Sequence, residues 1–190
     1  MMAYPTALRD RIVITHAHAR GFTLIELVAV IVLVGILAAF AAPRFVQNES
    51  FDARTFADQN MNMLRYAQKL AIAQNRPVFA VLGANRIALC FNAACDAANR
   101  VLAPAGANSG STATVAQCGT AATWFCEGRP NNVSYTMQPV NPVMYFNALG
   151  RPFLSGNVDP VSTFAGLTIA IAGGGNTRTV VVEAETGYVH

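Results

Sequence analysis

The chain has 190 residues, with 13 basic and 10 acidic side chains, a formal net charge of +3 and a hydrophobic fraction of 53%. Arg9, Arg11, Arg20 and Asp10 all precede residue 22, so the remainder carries ten basic and nine acidic side chains. A charge as balanced as this excludes a general electrostatic case for nucleic-acid binding.

Residues 1–21 are polar and cationic, and they contain His16 and His18 besides the arginines. They lack the separate apolar region and the small-residue cleavage site of an ordinary secretory signal. Positive charges before an apolar segment favour a cytoplasmic N-terminus, which predicts that the chain after this segment lies on the opposite side of the membrane.

Residues 22–43 form an apolar run with one charged side chain, Glu26. About 20 apolar residues suffice for a helix to span a bilayer. A carboxylate at the centre of such a helix costs about 2.5–3.5 kcal/mol, so a retained charge indicates a functional site. The alternative is an ordinary anchor that tolerates one acid near the interface.

The motif Gly-Phe-Thr-Leu-Ile-Glu-Leu, from Gly21 to Leu27, resembles the class III signal of type IV pilins and pseudopilins. The resemblance continues to Pro43, where the family usually has a helix-bending proline. It implies that a prepilin peptidase cleaves after Gly21 and methylates the new amine of Phe22. Residues 1–21 would then be the leader, and 22–43 the transmembrane and filament-core helix of a single-pass inner-membrane protein.

The same resemblance assigns a role in subunit assembly to Glu26. In assembled filaments of this family, the corresponding carboxylate pairs with the methylated amine of a neighbouring pilin. Such a pair attracts by roughly 4 kcal/mol at 4 Å and a dielectric near 20, and desolvation offsets much of that. The pair is therefore expected to specify register more than affinity.

Residues 44–76 are predicted to continue the helix as an amphipathic segment. Pro43 should bend the helix rather than end it. A continuous helix over 22–75 would be about 80 Å long. Apolar residues recur three or four positions apart and predict a face that packs on a sheet; they are Phe56, Met63, Leu64, Ala67, Leu70 and Ala71.

Residues 77–190 are predicted to form a periplasmic β-rich head that buries one modest core. The stretch 103–123, rich in Ala, Gly, Ser and Thr, is expected to be an exposed variable loop. The predicted fold class is α+β, with a long N-terminal helix packed on an antiparallel sheet. The strands expected from the pattern are 77–82, 86–91, 133–137, 143–146, 167–172 and 179–184.

Two further stretches refine the resemblance. Residues 146–152 and 181–189 look like the C-terminal region of the H-type minor pilins and pseudopilins. That group includes the FimT-like proteins and the C-type minor pilin of mannose-sensitive haemagglutinin (MSHA) pili, and the latter assignment is favoured.

The head contains four cysteines, Cys90, Cys95, Cys118 and Cys126. An even count in an oxidising periplasm favours two disulfides. The local pairs Cys90–Cys95 and Cys118–Cys126 are preferred because each closes a short loop, although long-range pairing is about equally sensible. A zinc site is the weaker alternative, because the spacings lack paired C-x-x-C knuckles.

No catalytic residue, metal site, cofactor or small-molecule substrate is predicted. After residue 21 the only histidine is the terminal His190, which gives no basis for a triad or a metal cluster. The glycines at 173–175 are not followed by the lysine and hydroxyl residue of a P-loop and predict a hairpin loop. Glu183 and Glu185 are expected to face solvent.

The leading hypothesis is a minor pilin of an MSHA-like type IV pilus, with a structural or assembly-initiating role. Its expected partners are the prepilin peptidase, other pilins and the inner membrane. One alternative is a pseudopilin of a type II secretion system. The other is a DNA-binding, FimT-like minor pilin, which would require a basic patch formed by Arg86, Arg100, Arg129, Arg151 and Arg178.

Overall fold

The computed structural model describes residues 22–45, 48–120, 123–140 and 142–190, without the side chains of 39–45. The predicted leader, including Gly21 of the cleavage site, lies outside the described residues. So do residues 46 and 47, through which the predicted continuous helix would run. The chain divides into two units between Ala42 and Pro43.

The first helix, α1, spans Leu24–Phe45 and includes Pro43, so this proline does not end it. Its side chains are described as far as residue 38, and each of these is exposed. Over the described part of the chain, no helix is both long and apolar enough to cross a membrane.

The second helix, α2, spans Asn48–Gln74, and Asn75 follows it in a left-handed conformation with φ 49°. One face of α2 is buried, as the sequence pattern predicts, and Leu70 is partly buried at the margin of that face. The buried residues of α2 are Ala53, Phe56, Ala57, Asn60, Met63, Leu64, Ala67 and Ala71.

Among the residues that the structure describes after α2, eight antiparallel strands form two sheets. The five-stranded sheet has the order β3-β2-β1-β5-β6, and the three-stranded sheet has the order β4-β7-β8. The strands are β1 Val78–Gly83, β2 Arg86–Cys90, β3 Cys126–Gly128, β4 Ser134–Gln138, β5 Val143–Phe146, β6 Pro152–Leu154, β7 Leu167–Gly173 and β8 Asn176–Val182.

The core of the head lies between α2 and the two sheets. Helix α2 packs on β7 and β8 of the smaller sheet and on β1 of the larger one. Alternation in β7 buries Leu167, Ile169 and Ile171, as expected of a strand with one face toward the core. The second unit is therefore an α+β head in which one helix covers both sheets.

Most described residues of the stretch 103–123 are exposed or partly buried, as its composition predicts, but the stretch is not a loop throughout. It contains a short helix, α3, at Thr112–Cys118, whose Thr114 and Cys118 are buried. Ser111 caps α3 by accepting a hydrogen bond from the Thr114 N–H at 3.1 Å. The three-residue strands β3 and β6 were not predicted, because neither is long enough to show a period.

Candidate functional site

The N-terminal turn of α1 holds the residues that the sequence singles out. The Thr23 carbonyl accepts hydrogen bonds from the N–H groups of Glu26 and Leu27, both at 3.1 Å. The Glu26 N–H also approaches the Thr23 hydroxyl oxygen at 3.3 Å. Thr23 is therefore the N-cap, and Glu26 stands at the third helical position, the spacing of a capping box.

Beyond this turn, the apolar side chains of α1 that the structure describes, as far as residue 38, are exposed. Phe22 and Leu24 are each 81% exposed, and Val28, at 41%, is the least exposed of the large apolar residues between Leu24 and Leu37. A continuous apolar surface of this kind indicates an interaction site. Glu26 is the only acidic residue of α1, so a partner that covers this surface also has to accommodate its charge.

The two stretches with the H-type resemblance meet in the head. The Gln68 side-chain amide donates to the carbonyls of Gly150 and Thr186, each at 2.9 Å. A Cβ on Gly187 would lie 2.8 Å from the Gly150 carbonyl oxygen, so only glycine permits this approach. The stretches 146–152 and 181–189 thus form one structural corner with α2.

The C-terminal residues are fixed to the head. Val181 and His190 exchange backbone hydrogen bonds of 2.8 and 3.0 Å. The Arg65 guanidinium donates twice to the Val189 carbonyl, at 3.0 and 2.9 Å. His190 also lies 3.0 Å from Glu183, so the histidine considered for catalysis occupies a structural pair.

The four cysteines form two disulfides, Cys90–Cys95 and Cys118–Cys126. These are the local pairs, with Cα–Cα distances of 5.2 and 5.9 Å. Both pack with Ala88 and Trp124 in a small cluster separate from the main core. Because the sulfurs are bonded to one another, they do not supply thiolates for zinc.

A buried carboxylate in the head escaped the sequence analysis. Glu127, 2% exposed on β3, accepts hydrogen bonds from the Thr114 hydroxyl and from the N–H and hydroxyl of Ser109. The Gln59 side chain contributes a further contact at 3.4 Å. This cluster ties α3 and the segment before it to β3 and α2, across up to 68 residues of sequence.

The five arginines considered for a basic patch have different surroundings. Arg86 and Arg100 both lie over the Trp124 ring, at 5.9 and 4.2 Å from its centroid. Arg129 donates to the Val133 carbonyl and to Asn85, and Arg151 pairs with Glu185 at 3.2 Å. Arg178 is on the exposed part of β8.

Within the described residues no cluster of His, Cys, Asp or Glu could hold a metal ion. The glycine run at 173–175 forms a hairpin turn, in which Gly173 pairs with Asn176. A Cβ on Gly173 would lie 2.5 Å from the Glu49 carbonyl, so this turn packs on the first turn of α2. The run is a packing element of the head.

Comparison with known proteins finds a family match in the N-terminal segment. Residues 16–42 match the family described as the prokaryotic N-terminal methylation motif. The chain is 46% identical over 50 residues to the type IV major pilin protein PilA of Myxococcus xanthus. It is 41% identical over 61 residues to the type IV narrow pilus major component PilA5 of Thermus thermophilus.

These matches are partial. They cover 26% and 32% of the chain, and the chain spans only 23% and 53% of the lengths of these relatives. Among solved structures, the type IV minor pilin FimU of Pseudomonas aeruginosa is similar, with 19% identity and a TM-score of 0.43. That alignment covers 72% of the chain and 90% of FimU.

Proposed function

We propose that the chain is a type IV minor pilin, stored in the inner membrane and incorporated into a type IV pilus. The observation that carries this proposal is the motif from Gly21 to Leu27, followed directly by an apolar helix with one acid. A structural rather than an enzymatic role agrees with the relatives, which are themselves pilus components.

In this proposal, prepilin peptidase cleaves after Gly21 and methylates the amine of Phe22. The exposed apolar side chains of α1 are covered first by lipid and then by the helices of neighbouring pilins. Glu26 pairs with the methylated amine of a neighbour, since an uncompensated charge among apolar helices is costly. A subunit out of register would leave this carboxylate unpaired.

The finer assignment we propose is an MSHA-like pilus, with the subunit in a structural or initiating role. Its support is the resemblance of residues 146–152 and 181–189 to the H-type minor pilins. Gln68 contacts both stretches, so the residues that carry the resemblance build one corner of the head.

A shearing experiment tests the function. Filaments sheared from cells should contain the protein, and a deletion strain should lose filaments or assemble fewer of them. Loss of protein secretion with normal filaments would instead assign the chain to a type II secretion pseudopilus. Absence from sheared filaments, with no effect on piliation, would contradict the proposal.

A further inference from the structure

A cleft of about 500 Å³ opens between the C-terminal part of α2 and the segment that follows β2. Tyr66 and Leu70 of α2 line one side, and Phe91 and Leu102 line the other. Leu102 is 71% exposed, although it is a large apolar residue. The cleft thus offers apolar surface to a partner.

Two arginines give this cleft a positive charge. The guanidinium carbon of Arg76 lies 3.6 Å from the centroid of the Phe91 ring, and that of Arg100 lies 4.2 Å from the centroid of Trp124. Stacking on a ring occupies the flat face of a guanidinium and leaves N–H groups at its edge for an acceptor. The aromatic rings therefore orient both arginines before any ligand arrives.

Neither arginine has an acidic partner among the described residues. The ion pairs in that part of the chain are Arg54–Asp58, Arg151–Glu185 and Glu183–His190. No acidic side chain lines the cleft. An anionic group that entered it would therefore meet two oriented guanidiniums without competition from an internal carboxylate.

The surroundings favour one carboxylate over a polyanion. Apolar side chains of Tyr66, Leu70 and Leu102 line the cleft beside its two arginines. A chain of phosphates would bring several charges against two guanidiniums and an apolar lining. One carboxylate between apolar side chains matches the cleft in charge and in polarity.

We propose that this cleft binds a peptide segment of another subunit, in which one carboxylate is flanked by apolar side chains. The assignment of the partner as a subunit of the same filament rests on the function proposed above. The two arginines bind the carboxylate, while Tyr66, Leu70 and Leu102 contact its apolar neighbours. This places a second contact surface on the head, in addition to α1.

A binding measurement with the full processed chain in detergent tests the cleft. The probe is a fluorescent acetylated pentapeptide amide, Leu-Leu-Glu-Leu-Leu, compared with its glutamine counterpart by anisotropy. The glutamate peptide should bind at least about tenfold more tightly, and Arg76→Gln and Arg100→Gln should each weaken it about tenfold. Arg54→Gln, an exposed arginine of α2 outside the cleft, should leave binding unchanged.

Equal binding of the two peptides, or no effect of Arg76→Gln and Arg100→Gln, would overturn the proposal. Tighter binding of a single-stranded oligonucleotide that the same variants abolish would also overturn it, in favour of a phosphate site. Unchanged thermal unfolding of the variants shows that the fold is intact. The N-terminal mass of the same sample tests the pilin function separately, since a Phe22 start without peptide binding would reject the cleft alone.

Discussion

Glu26 occupies a helix-capping position and has a proposed role in filament assembly, and a substitution can separate the two. Its position three residues after Thr23 suits helix capping, which glutamine also supports. In the proposed filament, its charge is needed only for pairing with a neighbouring amine. We predict that Glu26→Gln leaves processing and membrane insertion intact and strongly reduces incorporation into filaments, as measured by the protein recovered after shearing.

The matched control is Glu49→Gln, which removes an exposed acid from the first turn of α2 and should not affect incorporation. Glu26→Ala should behave like Glu26→Gln, because both remove the charge. Normal incorporation of Glu26→Gln would show that capping, and not charge pairing, is the reason for the acid.

Glu127 shows what sequence reasoning misses at this scale. Glu26 is conspicuous because it interrupts an apolar run, whereas the partners of Glu127 are 13 to 68 residues away and only folding assembles them. A lone acid after a cysteine carries no signal of burial. Its role became visible only with the contacts of Ser109 and Thr114.

Glu127→Ala should therefore destabilise the head, because it leaves the buried Thr114 hydroxyl and the Ser109 N–H without their acceptor. We expect a loss of about 3 kcal/mol in the free energy of unfolding, measured by urea denaturation. Glu185→Gln, whose side chain is 83% exposed, should change stability by less than about 1 kcal/mol. Equal effects of the two variants would contradict the assigned role of Glu127.

Tyr135 is expected to make stability sensitive to alkaline pH. Its buried hydroxyl donates to the Asn60 amide oxygen at 2.9 Å, and burial raises the pKa of the phenol well above its usual value of 10.0. The folded state therefore keeps a proton that the unfolded chain releases above about pH 10. This contribution is complete below pH 10 and is lost as pH rises toward the folded pKa.

Thermal unfolding followed between neutral pH and pH 11 checks this sign. The unfolding temperature should fall above about pH 10, and Tyr135→Phe should flatten that fall while lowering stability at neutral pH. A shallow slope should persist, because burial and Asp159 also raise the pKa of Tyr145. Tyr188→Phe, at an exposed tyrosine, should keep the wild-type slope; the same slope in Tyr135→Phe would contradict the prediction.

At the scale of elements, the sequence pattern predicts those that are long and periodic. The apolar spacing of α2 and the alternation in β7 repeat often enough to define a buried face. By contrast, β3, β6 and α3 depend on tertiary contacts. Helix α3 forms within a polar stretch because Ser111 caps it and Glu127 binds its Thr114.

The disulfide Cys118–Cys126 joins the end of α3 to the start of β3. It closes a loop of 8 residues, for which chain entropy predicts a contribution of about 2.5 kcal/mol. We expect the double substitution of both cysteines by serine to lower the free energy of unfolding by about 2–3 kcal/mol and to increase proteolysis within 103–123. Unchanged proteolysis would indicate that the Glu127 cluster alone holds this segment.

At the scale of the whole molecule, the two units differ in whether their apolar side chains are buried. The head buries its own core between α2 and two sheets, while the described part of α1 leaves its apolar side chains exposed. The sequence predicts this division, since a long apolar run before an alternating β-rich region is visible without structure. It does not reveal the cleft at Arg76 and Arg100, because each of these arginines stacks on a ring that is distant in sequence. Arg76 lies over Phe91, and Arg100 lies over Trp124.

The most direct test of the pilin assignment is the mass of the N-terminal peptide of the protein isolated from its native cells. The account predicts a chain that starts at Phe22 and carries one methyl group on its amine. A chain that retains residues 1–21, or one that starts at any residue other than Phe22, would contradict the account.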